Sequence, residues 1–280
     1  MFQTPIFIPS RSRVKSLSMG TLSRLPRALD EHIIFVVPSE QVREYERGLL
    51  TVDRPNIEVL DCPRQGISDT RKFIAEIAYM RFHDKFIMCD DDLTSWSVRI
   101  SDDDYHLRKA TDEDKIEAFT WLQTALNTYA HASLCPRGNN LKPTPKGILV
   151  GPKPLALENQ RLLRVYAYQT DKFLELEHNR IAVMDDFDFT LQLLRKGYKN
   201  VQSYWWTQDQ RQTGSPGGCA DYRSHEVHEQ SARKLAEFHP GFVTLKEKTY
   251  IYKAQYNKEF AGKRMEVIIF WKKAWESSQK

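Results

Sequence analysis

The sequence lacks the features of a membrane or secreted protein. No window of its 280 residues approaches the roughly 20 consecutive apolar residues of a membrane span. The opening MFQTPIFIPSRSR contains too short an apolar stretch for a secretory signal. The four cysteines, Cys62, Cys89, Cys135 and Cys219, form no CxxC pair, which argues against a zinc knuckle or a disulfide framework. These absences predict a cytoplasmic protein with reduced thiols.

The chain also has little net charge, +4, so composition alone identifies no partner. Its 41% hydrophobic and 11% aromatic residues exclude a disordered, collagen-like or coiled-coil chain. The charge is concentrated at the end: residues 241–280 hold nine lysines and arginines against four glutamates, with seven aromatic rings interleaved between Tyr250 and Trp275. Such mixing suits a polyanion whose bases or sugars stack on rings. The alternative is an ordinary terminal strand or helix with solvated lysines.

The first ninety residues alternate between apolar runs and segments of helical periodicity. The runs predict buried strands at Pro5–Pro9, Ile33–Pro38, Ile57–Cys62 and Lys85–Cys89, and the segments predict helices at Glu40–Leu50 and Asp69–Phe82. This alternation indicates βαβ units with a parallel sheet. Ligands of such sheets bind beyond the carboxyl ends of the strands, so the polar residues that follow each run are candidates for a site.

After Asp92 the pattern changes. We expect strands at 94–100, Leu162–Tyr168 and Val201–Trp206, helices at Lys115–Ala130, Asp185–Lys196 and Ser224–Phe238, and a mobile insertion rich in Pro, Gly and Asn at Ser133–Lys146. The predicted organisation is one α/β domain over residues 1–240 with a basic, aromatic extension over residues 241–280 packing on it.

Asp90, Asp91 and Asp92 follow the apolar run KFIMC directly. Three adjacent carboxylates at a strand end repel one another and require a compensating cation. Oxygen ligands without His or Cys favour Mg²⁺ or Mn²⁺, which retain open positions for phosphate oxygens. The alternative is a solvated acidic turn, but the preceding strand would fix these side chains at the ligand-binding edge.

A second acidic motif is MDDFDFTLQLLRKGY, which starts at Met184. One helical face is apolar, and the opposite one carries a polar stripe of Asp185, Asp188, Gln192 and Arg195. Capping and the helix dipole explain one or two acids in a first turn, but three are harder to explain in this way. Asp186, between the faces, is a candidate to accept a proton from a hydroxyl nucleophile.

Basic residues accompany these acids. Arg11 and Arg13 follow the first strand, and Arg64 and Arg71 belong to PRQGISDTR, where Gly66 permits a tight turn and Ser68 or Asp69 can cap a helix. Arginines at such positions can bridge a diphosphate, although a surface ion pair explains each one singly.

The loop GSPGGCADYR precedes a helix with His225 and His228 three residues apart on one face. Either histidine could complete a metal shell, or both could be exposed on an amphipathic helix. The glycines of the loop would allow its backbone to approach a ligand or to act as a lid.

Taken together, IFIPSRSR, PRQGISDTRKFI, FIMCDDD and MDDFDFTLQLLRKGY resemble GT-A fold glycosyltransferases that use nucleotide-sugar donors, over roughly Ile6 to Arg223. More closely, they resemble a phage-associated branch linked to sugar modification of hydroxymethylated DNA bases. The resemblance implies a GT-A, Rossmann-like mixed sheet flanked by helices. It also implies host-cell cytoplasm as the location, if a phage encodes the chain.

The resemblance further implies roles for named residues. Asp90 and Asp92 would bind Mn²⁺ or Mg²⁺, with His225 and His228 as candidate further ligands, and Asp186 or Asp185 would be the catalytic base. The residues that would contact the donor, guessed to be UDP-glucose, are Pro9, Ser10, Arg11, Arg13, Arg64, Gly66, Arg71, Asp90 and Asp91. The residues that would contact the acceptor are Trp205, Trp206, Gly217, Gly218, Tyr222 and Arg223, and the two tryptophans have core packing as their alternative.

The expected acceptor is DNA that carries hydroxymethylated pyrimidines, because the basic aromatic tail and the arginine-rich N-terminal segment suit phosphate contacts. A base inside a duplex must be flipped or presented in a single strand to reach a pocket. Two alternatives remain: a transferase that acts on a glycan, lipid-linked sugar or protein, and a non-catalytic nucleic-acid-binding module whose acidic clusters are structural.

Overall fold

A computed structural model shows a single large mixed sheet with helices on both faces. It describes residues 2–101, 106–140, 155–211, 224–250 and 262–279. The strands are β1 Ile6–Pro9, β2 Ile33–Pro38, β3 Glu58–Cys62, β4 Lys85–Cys89, β5 Leu93–Arg99, β6 Leu107–Lys109, β7 His131–Pro136, β8 Ala156–Glu158, β9 Val165–Gln169, β10 Asn200–Gln210, β11 Val243–Tyr250 and β12 Gly262–Ile269. The helices are α1 Val42–Thr51, α2 Ile67–Met80, α3 Asp112–Ala125, α4 Arg137–Asn140, α5 Thr170–Leu174, α6 Asp185–Arg195, α7 His225–Phe238 and α8 Trp271–Glu276.

The first half of the sheet is parallel, as predicted. β1 pairs in parallel with β2 and β4, and β2 pairs in parallel with β3. β1, β2 and β4 form because each is an apolar run of a length that both faces of a sheet can bury. β3 is the edge strand and exposes Glu58 and Asp61, so the prediction of a buried strand at Ile57–Cys62 is wrong for its burial. β1 and β4 are therefore neighbours, and their carboxyl ends bring Ser10 and Asp90 to the same edge.

The second half of the sheet is mixed. Beyond β4 the order continues β9, β7, β10, β5 and β6, with β9 antiparallel to both β4 and β7. β10 is parallel to β7 and antiparallel to β5 and β8. Because β9 ends the parallel run, Arg164 at its start lies next to the end of β4.

The predicted mobile insertion at Ser133–Lys146 is wrong for its first part. Residues 133–136 belong to β7, whose six residues are all buried at the centre of the sheet. The Pro, Gly and Asn residues that follow obscured this strand, since Ser, Cys and His lack the apolar signature of the other strands. Residues 141–146 lie outside the described residues.

α3 begins at Asp112, three residues before the predicted start, because Thr111 and Asp114 form a reciprocal capping box. α2 begins at Ile67 with Gly66 as its N-cap at φ +84° and ψ 151°, a conformation that favours glycine. Ser68 and Asp69 do not cap this helix. Instead they accept hydrogen bonds of 2.8 and 3.1 Å from the backbone and side chain of Asn179.

α6 is buried on two sides. Phe189 and Leu193 pack against the sheet, whereas Phe187, Leu191 and Leu194 pack with side chains of α7, β11, β12 and α8. The C-terminal hairpin of β11 and β12 and the helix α8 thus lie against the helix that carries the second acidic motif. Within the described residues, no helix is long and apolar enough to cross a membrane.

Candidate functional site

The acidic turn, Asp90 to Asp92, follows β4, and its backbone is held mainly by Thr21, a residue that sequence reasoning missed. The fully buried Thr21 hydroxyl donates to the Asp90 carbonyl at 2.5 Å and accepts from the Leu93 amide at 3.0 Å. The Thr21 amide donates to the Asp91 carbonyl at 3.1 Å. Gly20 lies so close that a Cβ there would be 2.5 Å from the Asp91 carbonyl oxygen. These contacts therefore fix the backbone of the acidic turn in one conformation.

Two further backbone bonds complete this support. The Asp90 amide donates to the Arg164 carbonyl at 2.8 Å, and the Arg211 amide donates to the Asp92 carbonyl at 3.1 Å. These bonds use the Asp90 amide and the carbonyls of all three aspartates. The three carboxylates do not take part in them and make separate contacts.

The Asp91 carboxylate belongs to a hydrogen-bonded chain at the end of β1. Arg13 donates to it at 2.5 Å and also reaches Asp92 at 3.1 Å. Ser10 donates to Asp91 at 2.5 Å, and its hydroxyl lies 2.7 Å from that of Tyr45, which accepts from the Arg13 amide at 3.1 Å. With Ser10 donating to Asp91, Tyr45 donates to Ser10. Tyr45, buried in α1, therefore positions both predicted donor residues Ser10 and Arg13.

Burial is the largest influence on the pKa values of Asp91, Arg13 and Tyr45. It raises the pKa of Asp91 more than Arg13 lowers it. Burial alone would lower the pKa of Arg13, but the charges of Asp91 and Asp92 together raise it. Burial also raises the pKa of Tyr45 to about 12, so this hydroxyl stays protonated and able to donate.

Arg71 connects the acidic turn to the second acidic motif. It is 6% exposed, donates to Asp185 at 2.8 Å and lies 3.7 Å from Asp90. Burial alone would lower the pKa of Arg71, but Asp185 and the nearby acidic groups raise it well above its ordinary value. The side chain predicted to hold a diphosphate thus also orders the carboxylates on both sides of it.

The Asp90 carboxylate is only partly compensated by Arg71. Burial, strengthened by Asp92 and Asp91, raises its pKa to about 7 despite the opposing charge of Arg71. Its side chain retains 30% of its surface exposed, so it is open to a ligand from solvent.

Asp185 and Asp186 are consecutive but have different surroundings. Asp185 is 5% exposed and bonded to Arg71, whereas Asp186 is half-buried and accepts from the Tyr166 hydroxyl at 3.4 Å. Met184, which precedes them, adopts a left-handed conformation with φ 69°. Such strain in a non-glycine residue is concentrated at functional sites, and here it sets the direction of the first turn of α6.

Three of the four residues in the predicted polar stripe of α6, Asp185, Asp188 and Gln192, are buried, and Arg195 is exposed, which corrects the simple picture of an apolar face opposite a polar one. Asp188 accepts from Arg180 and Gln192, and lies 2.7 Å from His239 Nε2. Since Arg195 donates to His239 Nδ1 at 3.1 Å, Nε2 carries the proton and donates to Asp188. These contacts lower the pKa of Asp188 against the effect of its burial, and they fix α6 to the end of α7.

The donor set fits a hard divalent cation. The negative charges of Asp91, Asp92 and Asp186 all act on Asp90 and raise its pKa, whereas the positive charge of Arg71 lowers it. The described residues contain no cluster of three His, Cys, Asp or Glu side chains arranged to hold a metal. Mg²⁺ and Mn²⁺ suit such a site, since they are often held by one or two carboxylates with substrate phosphates supplying the rest. Asp90 and Asp92 remain the predicted pair.

Several other predicted residues lie apart from these carboxylates. Arg64 pairs with Glu76 on α2 at 2.5 Å, and Arg11 is exposed. His225 and His228 lie on α7, where His228 Nε2 is 3.5 Å from Glu266 of β12. The structure does not bring either histidine into a cluster with Asp90 and Asp92.

The predicted acceptor residues divide into two groups. Trp205 and Trp206 are 9% and 2% exposed and belong to the hydrophobic core, with Trp206 6.1 Å from the ring of Trp121. This placement matches the core alternative for these tryptophans and gives no support to stacking on a base. Gly217, Gly218, Tyr222 and Arg223 lie outside the described residues.

Solved structures share this architecture at low sequence identity. PcManGT, a mannosyltransferase from Pyrobaculum calidifontis in complex with GDP-Man and Mn²⁺, is 12% identical with a TM-score of 0.50, and the match covers 83% of this chain and 61% of that chain. S. aureus TarS 1–349 in complex with UDP-GlcNAc is 12% identical with a TM-score of 0.46, covering 84% and 66%. This chain therefore spans less than two thirds of either structure. The likeness to PcManGT confirms the GT-A fold, a mixed α/β sheet flanked by helices.

The family is more specific than the fold. The sequence profile described as TET-associated glycosyltransferase matches residues 4–218, which include both acidic motifs. The chain belongs to this family, and the resemblance to GT-A glycosyltransferases is confirmed. A comparison with curated protein sequences gives no match.

Proposed function

We propose that this chain transfers a sugar from a nucleotide-sugar donor, UDP-glucose in the first instance, to the hydroxyl of a hydroxymethylated pyrimidine in DNA. The observation that supports it most directly is the convergence of two acidic motifs on Arg71. Asp90 follows β4 and Asp185 begins α6, and both lie against this guanidinium, at 3.7 and 2.8 Å. Family membership adds the reaction class.

Asp90 and Asp92 would hold the Mn²⁺ or Mg²⁺, which when bound neutralises the diphosphate that leaves with the nucleotide. Arg13 and Arg71 supply further positive charge at the same edge, and both are already fixed by carboxylates. Preorganised charge of this kind stabilises a leaving group without reorganisation during the reaction.

Asp186 is the proposed base for an inverting transfer. Asp185 is buried and bonded to Arg71 at 2.8 Å, whereas Asp186 is half-buried and accepts from the neutral Tyr166 hydroxyl at 3.4 Å. Asp186 takes the proton of the acceptor hydroxyl as that oxygen attacks the anomeric carbon, and the bond from this carbon to the diphosphate breaks. If the product retains its anomeric configuration, Asp186 orients the sugar instead.

The acceptor proposal rests on charge. The described part of the C-terminal hairpin, which packs against α6, exposes Lys246, Lys248 and Lys263, the last of them paired with Glu247. Positive surfaces suit a polyanionic acceptor. The experiment compares DNA with the alternative, a glycan or protein acceptor.

The decisive experiment incubates the protein with a panel of nucleotide sugars, Mn²⁺, and matched oligonucleotides with and without hydroxymethylated pyrimidines. Mass analysis of the released nucleosides should show one added hexose on the hydroxymethylated base only. Asp92→Ala or excess EDTA should abolish this product while the circular dichroism spectrum stays unchanged. Full activity in EDTA, or transfer to glycans with none to DNA, would contradict the proposal. Proton NMR of the product then decides between inversion and retention.

A further inference from the structure

Residues 14–24, here called the basic cap, lie over the acidic turn and carry positive charge without any acid. The cap contains two short 3₁₀ helices, Val14–Ser16 and Thr21–Arg24. Its cations are Lys15 and Arg24, and both side chains are exposed. Within the described residues, neither has a carboxylate at salt-bridge distance, whereas Arg13, just before the cap, is bound by Asp91 and Asp92.

The basic cap is held firmly at its base. Leu17 and Leu22 are 5% and 2% exposed and belong to the main core. Thr21 bonds the acidic turn, and Arg211 donates to the Ser16 hydroxyl at 3.1 Å. A segment tied down in this way fixes the backbone of Lys15 and Arg24, which reduces the entropy lost when their side chains bind a partner.

We infer that Lys15 and Arg24 bind phosphates of the acceptor strand and so position its modified base over the acidic turn. This inference rests on the proposed DNA acceptor. The donor's phosphates already have Arg13 and Arg71, which lie against the carboxylates, and the outward cations of the cap are left for a ligand that approaches from solvent. Single exposed cations that neutralise phosphates give an affinity that falls with salt.

The test uses the double variant Lys15→Gln/Arg24→Gln and a matched control, Lys196→Gln/Lys234→Gln. The control removes the same charge from the end of α6 and from α7, where both lysines are exposed and in no salt bridge among the described contacts. The first readout is binding of an unmodified fluorescent oligonucleotide across a salt series. The second is the KM for a hydroxymethylated oligonucleotide, for the free hydroxymethylated nucleoside, and for the nucleotide sugar.

The cap variant should bind the oligonucleotide about tenfold more weakly at low salt, with a salt slope smaller by about 1.5 to 2 because two phosphate contacts are lost. Its KM should rise for the oligonucleotide alone, and the control should match the wild type. Equal losses in both variants, or a raised KM for the nucleotide sugar with DNA binding intact, would overturn the inference. If the wild type binds DNA through the cap but transfers no sugar to it, the proposed function and the positioning of the base both fail, and only the phosphate contacts of the cap stand.

Discussion

Arg71 donates to Asp185 across 2.8 Å, and both side chains are less than a tenth exposed. The guanidinium therefore compensates the first carboxylate of the second acidic motif. Its neighbour Asp186 accepts from the Tyr166 hydroxyl. The sequence left open which of the two is the base, and this pairing supports the proposal that Asp185 is a positioning residue and Asp186 the base.

Asp186→Asn should lower kcat by about 10² to 10⁴, the range for loss of a general base, with little change in the free energy of unfolding. Asp185→Asn should instead destabilise the fold by about 3–5 kcal/mol, since a buried guanidinium loses its partner. Steady-state kinetics and urea unfolding of both variants separate these effects. The assignment is wrong if the larger kinetic loss, measured on folded protein, belongs to Asp185→Asn.

Thr21→Val keeps the shape of the side chain but removes the hydroxyl that bonds Asp90 and Leu93. We expect a loss of about 1–3 kcal/mol in unfolding free energy from the unsatisfied backbone groups. We also expect weaker Mn²⁺ binding by electron paramagnetic resonance, because the acidic turn loses its fixed conformation. Thr21→Ser should restore both. Wild-type Mn²⁺ affinity in Thr21→Val would show that the hydrogen bonds of the Thr21 hydroxyl do not order the carboxylates.

Gly20→Ala should destabilise the acidic turn by overpacking. The new Cβ would lie 2.5 Å from the Asp91 carbonyl oxygen and 3.1 Å from that of Ser16, so backbone must move, at a cost of about 1–3 kcal/mol. Thermal unfolding gives the measurement, and Gly138→Ala, where the added methyl meets no atom within 4 Å, provides the control. Equal melting temperatures for the two variants would argue against so close an approach.

His131 should make the protein sensitive to acid. It is fully buried in β7 and stacked on Tyr168 at 4.0 Å, and neither ring nitrogen has a hydrogen-bond partner in the described part of the chain. Burial, and then the charge of Arg71, lowers its pKa well below the ordinary 6.5. As the pH falls below 6.5, the unfolded chain takes up a proton that the folded chain does not, so stability falls.

His131→Phe should remove this contribution, up to about 1.4 kcal/mol per pH unit for one proton, and leave the pH dependence above 6.5 unchanged. Urea unfolding at several pH values between neutrality and mild acid provides the measurement. If the variant and the wild type lose the same stability as the pH falls, the pKa of His131 is not lowered in the folded state.

The sequence predicted the parallel half of the sheet because β1, β2 and β4 are apolar on both faces and the predicted runs end at turn residues. It also placed Asp90 to Asp92 at the carboxyl edge, since β4 leads directly into them. β7 was missed because its His, Ser and Cys residues resemble a loop in composition, although tertiary packing buries them completely. Propensity is a weak guide where the centre of a sheet decides the environment.

Site residues were predictable where chemistry is concentrated in a motif and not where it depends on distant contacts. Thr21 and Tyr45 carry no local signal: one begins a short 3₁₀ helix and the other lies on the buried face of α1. Their roles follow only from the meeting of β1, α1 and the acidic turn. Likewise, the burial of Trp205 and Trp206 depends on α3 packing over the sheet.

The contacts that assemble the carboxylates join residues far apart along the chain: 114 positions separate Arg71 from Asp185, and 81 separate Ser10 from Asp91. Non-local pairings of this kind form late and slowly, because a large loop must close before they contribute. No contiguous fragment from either half contains the whole constellation. Regain of sugar transfer after dilution from denaturant should therefore trail the recovery of helical signal, and would report the completion of folding.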